Sequence, residues 1–317
     1  MIPIWKDTYY TYAEGDSLTY DIYVGDTLIY HGTAYKIDSA IKVKINDVVA
    51  NYLYRSIHTL DDVYSADNYA EVTAYIVDSI TNEALAQFDF YNDWSYDRHS
   101  GIKSIVSRPI SNNIAVGQYA MTSIVNAPAN LSVTIASGSG YTKIVSTSSL
   151  PGTYTKKVDA DTTSIEVGIN DISGNNESIK YNVADCPSNY VLYYLNAYGG
   201  WDSLILQTCK ITDNYTRSTA KQLYDNSSAI NRGTLNYVNT IAQKYELTTG
   251  WLSDNQAKLM HHLLGSTSVY LHDLTNDDIT PINLTDSTCE YKSYRSNGGK
   301  LFNWTINAQL SQDRQRQ

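Results

Sequence analysis

The chain of 317 residues contains 23 Lys plus Arg against 33 Asp plus Glu, which gives a formal net charge of −10. This acidic balance argues against a general nucleic-acid binder and against a protein of anionic membrane surfaces, because both kinds of binding rest on clustered basic residues. Mean hydropathy is −0.35, and no apolar run approaches the ~20 residues of a membrane-spanning helix. We therefore expect no nucleic-acid partner and no membrane insertion.

The N-terminus and the cysteines bear on the compartment in which the protein folds. Residues 1–7 show no basic stretch followed by an apolar one, so we expect no Sec export signal. Cys186, Cys209 and Cys289 lie far apart, and no Cys or His pair has zinc-finger spacing. Three such thiols are typical of reduced residues. Together these features favour a protein that assembles in a cytoplasm.

The aromatic composition favours strands. The chain has 29 Tyr but 3 Phe and 3 Met, and few of the Ala-, Leu-, Glu- and Lys-rich stretches of helical domains. This excess of Tyr has two interpretations. Tyr can fill half-buried strand positions with its hydroxyl reaching water, or it can supply rigid contact area for a protein interface or a sugar-binding surface. In both cases we predict a mainly β, multi-domain fold.

Residues 1–107 are predicted to form a first domain, a small β-sheet or barrel with one short helix. The alternation of Ser17–Val24 and Thr27–His31 around a Gly-Asp turn indicates a hairpin. Asn46 or Asp47 is suited to cap the helix, since short polar side chains satisfy the first free N–H groups. Further predicted strands are Ile41–Ile45, Glu71–Val77 and Leu85–Tyr91.

Residues 112–184 are predicted to form an immunoglobulin-like β-sandwich, reached through a linker around residues 98–113. Short alternating runs recur about every 8–12 residues and are separated by turn signals such as Gly138–Gly140. No cysteine lies in this range, so the predicted sandwich has no disulfide. Its predicted core consists of Ile124, Val133, Ile135, Ile144, Val158, Ile165 and Val167. We expect a spacer without chemistry of its own.

Residues 190–311 are predicted to form a C-terminal β-domain with one packed helix, followed by a polar tail at 312–317. Ser253 and Gln256 form a capping box and Gly265 is a natural stop, so the sequence predicts a helix of about 11 residues. Its predicted apolar face comprises Leu259, Met260, Leu263 and Leu264. The predicted strands are Tyr190–Asn196, Ser203–Ile211, Leu235–Leu252, Ser268–Leu271, Ile279–Leu284, Cys289–Tyr294 and Leu301–Leu310.

Sequence motifs that would carry an enzymatic reaction are missing. There is no Gly-x-Ser-x-Gly elbow, P-loop, dinucleotide fingerprint or His-Glu-x-x-His motif. His261 and His262 are adjacent, so on a helix they point about 100° apart and do not share a metal without other ligands. The acidic loop Asp273–Asp278 lacks EF-hand spacing. We therefore expect a protein that is not an enzyme, with no catalytic residue, cofactor or metal site.

Two segments resemble a known group of proteins. Tyr193–Leu204 reads YYLNAYGGWDSL and is similar to a strand-turn-strand segment in structural proteins from the tails and baseplates of tailed bacteriophages. Tyr245–Gln256 reads YELTTGWLSDNQ and, with the helix after it and Ser266–Leu271, resembles the same source. The resemblance covers about residues 190–310 and implies a tail-tube-like C-terminal domain. It also implies a non-enzymatic virion component that oligomerises around the tail axis, and it carries over no catalytic residue.

The sequence thus supports two hypotheses. The first is a structural protein of a phage tail, baseplate or neck, assembled in the host bacterial cytoplasm as a homo-oligomeric ring that contacts other virion proteins. The alternative is a carbohydrate-binding or adhesin module, in which Trp94, Trp201 or Trp251 forms a stacking platform for host surface glycans. These three tryptophans are the candidate interface aromatics. The acidic segment Asp89–Asp97 around Trp94 would suit a sugar subsite, although a strand end with a packed Trp is the simpler interpretation.

Overall fold

The computed structural model describes residues 2–53, 71–91, 107–124, 132–137, 140–144, 152–170, 176–184, 189–221, 234–286, 301–312 and 314–316. Within these ranges the protein is mainly β, with several sheets, as the composition predicts. It divides into two compact units, the first being Met1–Ala184 with Leu195–Ser203 and Gly265–Thr267, and the second Asp185–Tyr194, Leu204–Leu264 and Ser268–Gln317. No helix in the described ranges is long and apolar enough to cross a bilayer.

The first unit begins with a five-stranded and a two-stranded sheet. Its elements are β1 (Ile2–Pro3), β2 (Tyr9–Tyr12), β3 (Ser17–Val24), β4 (Thr27–Tyr35), β5 (Ile41–Lys44), helix α1 (Asn46–Val49), a 3₁₀ turn (Ala50–Tyr52), β6 (Glu71–Asp78) and β7 (Ala84–Tyr91). The larger sheet has the order β1-β7-β6-β3-β4, and β2 pairs with β5. Alternate residues of β3 and β5, among them Ile22 and Ile41, are buried in one core cluster that also includes Val49 of α1.

Helix α1 does not begin as the sequence predicts. Its N-cap residue is Ile45, and no side chain caps it. Asn46 lies in the first turn, where its Oδ1 accepts from the Thr8 N–H at 3.3 Å and its Nδ2 donates to the Ile4 carbonyl at 3.2 Å. The prediction that Asn46 or Asp47 caps this helix is therefore wrong, because contacts distant in the sequence use the Asn46 amide.

Residues 107–184 continue the first unit with two further sheets. The strands are β8 (Asn113–Ile114), β9 (Tyr119–Ile124), β10 (Ser132–Ser137), β11 (Gly140–Ile144), β12 (Gly152–Lys157), β13 (Ser164–Asn170) and β14 (Asn176–Val183). The five-stranded sheet has the order β11-β10-β13-β14-β8, and β12 pairs with β9. The strand pairs of these two sheets are antiparallel except β14 with β8. Two sheets in this range are what a sandwich requires, and the immunoglobulin-like assignment and the domain borders stay predictions.

One hydrophobic core joins the two sheets of this region. Its buried members are Ile114, Ala120, Ile124, Val158, Ile165, Val167 and Tyr181. Four of the residues predicted to form this core are in it: Ile124, Val158, Ile165 and Val167. The side chains of Val133, Ile135 and Ile144 lie outside the described part of the structure. Alternation of apolar residues along β13 thus identifies its buried face correctly.

Residues 189–316 form a seven-stranded sheet, six strands of which close into a barrel. The elements are β15 (Tyr190–Leu195), β16 (Trp201–Lys221), β17 (Thr234–Thr249), helix α2 (Asp254–Leu264), β18 (Val269–Asp273), β19 (Asp278–Leu284), β20 (Thr305–Leu310) and β21 (Arg314–Arg316). The sheet has the order β16-β15-β18-β19-β20-β17-β21, and an additional β16–β17 pairing closes it. Closure removes the free edges that an open sheet of this length would expose.

Helix α2 has the length and the cap that the sequence predicts. It spans 11 residues, the Ser253 N–H donates to Gln256 Oε1 at 2.9 Å, and the Gln256 N–H donates to Ser253 Oγ at 3.4 Å. Met260 and Leu263 of the predicted apolar face are fully buried, and His262 is buried beside them. The helix is therefore docked through a face centred on Met260 and Leu263.

We expect Leu263→Ala to lower the free energy of unfolding by about 2–5 kcal/mol, because it leaves a cavity under α2. Lys258→Ala, on the exposed side of the same helix, is the matched control and should change stability by no more than about 0.5 kcal/mol. Urea unfolding followed by circular dichroism measures both. Equal midpoints for Leu263→Ala and the unmodified chain would mean that α2 is not docked as described.

Candidate functional site

The three candidate tryptophans have different surroundings. Trp94 lies outside the described residues. Trp201 is 3% exposed, so neither face of its ring is open to a stacking sugar. Trp251, just before α2, is 64% exposed, and it adjoins the bridge in which Leu252 and Phe302 exchange backbone hydrogen bonds of 2.7 and 2.8 Å. Of the three, Trp251 is the one that the described structure offers to a ligand or a protein partner.

Strands β16 and β17 are much longer than the barrel they close. β16 has 21 residues and β17 has 16, whereas β15 and β20 have six each. The two long strands stay paired from Leu206↔Thr249 to Lys221↔Thr234. The first four residues of β16 are buried, but beyond Leu206 most of the strand is exposed. We call Lys210–Lys221 and Thr234–Glu246, which run beyond the buried base, the ribbon.

The ribbon has two chemically different faces, because residues paired directly across an antiparallel ladder point to the same side. One face carries the pairs Ile211–Tyr245 and Tyr215–Ile241, with the polar pair Asp213–Gln243 between them, and we call it the apolar face. The other carries Lys210–Glu246, Thr212–Lys244, Asn214–Ala242 and Thr216–Thr240, and we call it the polar face.

The apolar face continues a buried surface into solvent. At its base Leu247 is fully buried and Tyr245 nearly so, with its hydroxyl donating to Gln243 Oε1 at 2.6 Å. Farther out, Ile211 is 47% exposed and Tyr215 is 57% exposed. On the polar face, Lys210 Nζ lies 3.0 Å from Glu246 Oε2, so the charges there are balanced locally. Exposed apolar side chains on one face, separated by the Asp213–Gln243 pair and backed by a polar face, suit contact with another surface.

The outer edge of β16 is largely open in the described part of the chain. β15 is its neighbour on that side but has six residues, which cannot cover a strand of 21. β17 is better covered, because β20 pairs with Lys244–Thr248 and β21 pairs with Asn239–Ile241. An uncovered strand edge presents N–H and C=O groups that another chain can pair with. The ribbon therefore combines an apolar face with a bare edge.

Asp202 lies at the centre of a buried polar network in the first unit. Both of its carboxylate oxygens accept from the Arg108 N–H, at 2.9 and 3.0 Å, and Oδ2 also accepts from Asn196 Nδ2 at 2.6 Å. Asn196 Oδ1 accepts in turn from the Gly200 N–H at 3.0 Å. Burial raises the pKa of Asp202 to about 7, against the opposing effect of these donors and of the Arg108 charge.

A second buried chain of polar groups crosses strand β18. His272 is fully buried, with its Nδ1 3.1 Å from the Tyr193 hydroxyl and its Nε2 3.0 Å from Asp277 Oδ1. A carboxylate can only accept, so Nε2 carries the proton and Nδ1 accepts from Tyr193. Tyr193 is itself fully buried, whereas Asp277 at the other end of this chain is exposed. The chain thus links the barrel interior to the surface loop after β18.

The other residues considered for chemistry are engaged in local structure. His261 is exposed and His262 is buried, and the described residues contain no group of three His, Cys, Asp or Glu side chains fit for a metal. In the acidic loop, Asp273 accepts from the Thr275 N–H at 2.9 Å and from Asn276 Nδ2 at 2.7 Å. Asp89 accepts from Thr73 Oγ1 at 2.8 Å, and Asp93 and Asp97 lie outside the described residues.

Comparison with known proteins adds little to this picture. No protein-family model and no curated protein matches the chain. Among solved structures it is similar to SGBP-B of the mixed-linkage glucan utilization locus of Bacteroides ovatus, in complex with a mixed-linkage heptasaccharide. The identity is 11%, the TM-score is 0.19, and the match covers 75% of this chain and 57% of that one. The chain thus spans less than two thirds of that structure. A TM-score this low does not establish a shared fold.

The buried carboxyl group of Asp202 predicts a pH dependence of stability. Because its pKa in the folded chain is raised to about 7, the folded chain holds a proton that an unfolded Asp releases near its ordinary value of about 4. The free energy of unfolding should therefore fall as pH rises from about 4 to 7, by at most about 1.4 kcal/mol per unit from this group.

Thermal unfolding between pH 4 and 8 measures this effect. Asp202→Asn, which cannot ionise, should remove the slope, whereas Asp213→Asn on the exposed ribbon should keep it. The same slope in all three proteins would assign the pH dependence to other groups.

Proposed function

We propose that the chain is a non-enzymatic structural component of a bacteriophage virion, in the tail, baseplate or neck, and that it assembles as a homo-oligomeric ring. The observation that supports the ring is the ribbon, whose apolar face and bare edge exceed what closing the barrel requires. In this proposal the neighbour in the ring is a second copy of the chain, and the other partners are virion proteins. The site of assembly is the cytoplasm of the host bacterium.

The ribbon suits contact with a second copy for two physical reasons. A neighbour that covers Ile211 and Tyr215 removes exposed apolar surface from water at roughly 25 cal/mol per Å². A strand laid along the outer edge of β16 satisfies its backbone groups without specific side chains. When identical chains contact each other through two different surfaces, they close into a ring if the rotation between neighbours is a whole-number fraction of a full turn. The two effects together supply both affinity and direction.

The assignment to a virion rests on the resemblance of two segments. Tyr193–Leu204 covers the end of β15, the turn after it and the start of β16, and Tyr245–Gln256 covers the base of the ribbon and the first turn of α2. Both segments therefore belong to the region from which the ribbon extends. A structural role needs no reactive site, so this part of the proposal rests on the resemblance alone.

A second candidate function, glycan binding, is favoured by one observation, the exposure of Trp251. Leu301, next to Phe302 of the Leu252–Phe302 bridge, is also exposed. A glycan array that includes host capsular polysaccharides tests this candidate. Binding that Trp251→Ala abolishes would support an adhesin, and no signal from the unmodified chain would remove it.

The ring proposal predicts that the pure chain forms closed oligomers of one size, which mass photometry measures. Replacing Ile211 by Thr and Tyr215 by Ser removes the exposed apolar groups and should raise the apparent dissociation constant at least about tenfold. The matched control replaces Thr212 and Asn214 by Ser on the polar face and should leave the oligomer intact.

Two results would contradict the proposal. A chain that stays monomeric at its highest soluble concentration has no ring contact of its own. Mass spectrometry of virions purified from a phage that encodes the chain must also detect it, so its absence from the particles would exclude a virion component even if rings form.

A further inference from the structure

Strand β4 forms an exposed edge of the first sheet. Among the described residues it pairs with β3 alone, and it is the outer strand in the order β1-β7-β6-β3-β4. Its nine residues include Leu28, Tyr30 and Tyr35 as exposed hydrophobic side chains, with Tyr35 71% exposed. A long exposed edge with large aromatic groups invites pairing unless charges or a proline block it. β4 contains neither proline nor a lysine.

The hydrogen-bond pattern shows which backbone groups of β4 point outward. The Lys36 N–H donates to the Asp16 carbonyl at 2.9 Å, so residues 16 and 36 face each other as a hydrogen-bonded pair. Antiparallel pairs alternate, so the pairs 17–35, 19–33 and 21–31 do not exchange backbone bonds. Side-chain contacts typical of such close pairs agree, with Thr19 Oγ1 3.2 Å from Thr33 Oγ1. His31, Thr33 and Tyr35 therefore direct their backbone N–H and C=O groups away from β3.

These three outward residues are spaced symmetrically about Thr33. If a second β4 runs antiparallel along the edge, Thr33 can face Thr33 of the other copy, and His31 can face its Tyr35. Each of these pairs then exchanges both of its backbone hydrogen bonds. A two-fold axis through Thr33 therefore pairs every outward backbone N–H and C=O group between residues 31 and 35.

The side chains in this register are complementary as well. Gly32 and Ala34 face each other across the axis, so the backbones approach without a clash. Tyr30 folds over its own Gly32, where an added Cβ would lie 2.6 Å from Tyr30 Cε1, and its ring stacks on Tyr20 of β3 with the centroids 5.9 Å apart, so it lies toward β3 and leaves the outer edge open. His31 Nδ1 lies 2.6 Å from Asp21 Oδ1, so the imidazole is held in place by its own chain. No two like charges oppose each other.

We propose that β4 pairs with β4 of a second copy of this chain through a two-fold axis at Thr33, which joins two five-stranded sheets into one continuous sheet. The occupant is a second copy because the same edge supplies both halves of the hydrogen-bond pattern and both members of the two His31–Tyr35 pairs. This contact goes beyond the proposed ring. It involves the first sheet and not the ribbon, so variants of the ribbon leave it unchanged, and the two proposals fail separately.

Disulfide trapping tests the register. In a hydrogen-bonded antiparallel pair the Cα atoms are about 5.5 Å apart, which a disulfide can span. Thr33→Cys should therefore form a covalent dimer under mild oxidation. Thr27→Cys, at an exposed position near the other end of β4, is the matched control and should crosslink at least about tenfold more slowly. The unmodified chain is the control that measures crosslinking through the native cysteines. Equal rates for the two variants would overturn the register.

A proline substitution tests the contact without a crosslink. The Thr33 N–H points away from β3, so Thr33→Pro leaves the internal ladder intact while it removes an outward donor. Thr33→Val loses the same hydroxyl but keeps the N–H. Sedimentation equilibrium, done on the ribbon variant Ile211→Thr/Tyr215→Ser so that rings do not interfere, should show a dimer that Thr33→Pro weakens at least about tenfold and Thr33→Val does not.

Circular dichroism of the Thr33→Pro variant confirms that a lost dimer is not a lost fold. Equal dimer affinities for the folded Pro and Val variants, or no dimer of the starting protein at its highest soluble concentration, would overturn the proposal.

Discussion

Closure of the C-terminal barrel is the constraint on which much of the structure depends. The ring of strands is complete only because β16 and β17 pair with each other, and four strands of five to seven residues form the rest of the wall. Two strands of 21 and 16 residues cannot fit within a wall of that height. Their excess length must leave the barrel together, as a paired ribbon. The amphipathic surface proposed for assembly is thus a direct result of unequal strand lengths.

The abundant tyrosines include two groups with different surroundings. Tyr181 and Tyr193 are fully buried, and each hydroxyl has a hydrogen-bond partner within the fold, the Met121 carbonyl at 2.6 Å and His272 at 3.1 Å. Tyr35 and Tyr215 are instead well exposed on strands with an open edge. Composition cannot distinguish the two groups, because tyrosine suits both a buried position with a partner for its hydroxyl and an exposed position on a strand. Burial in the folded chain separates them.

The predictions from sequence succeed where local pattern decides the outcome. Helix α2 follows from its capping box and its glycine stop, and the first hairpin follows from Gly25-Asp26, where Gly25 takes a φ of +57°. The sequence predicts the β17 side of the ribbon, at Leu235–Leu252, but ends the β16 side at Ile211, because the outer half of β16 is rich in Thr and charged residues and alternation fades there. Pairing with β17 keeps that half extended. Asp202 gave no signal at all, since its burial depends on Arg108 and Asn196, residues brought together by tertiary structure.

The ribbon also places a gradient of local stability along one continuous strand. Near Leu206 the strand is anchored on both faces by a packed interior, while toward Lys221 its ladder with β17 has little apolar support, and an isolated two-stranded ladder is marginally stable in water. The ribbon is therefore stiff near the barrel and more flexible toward its far end. Such a ribbon can adapt its far end to a neighbour's surface and tolerates small errors of fit. The part next to the barrel fixes the direction in which it extends.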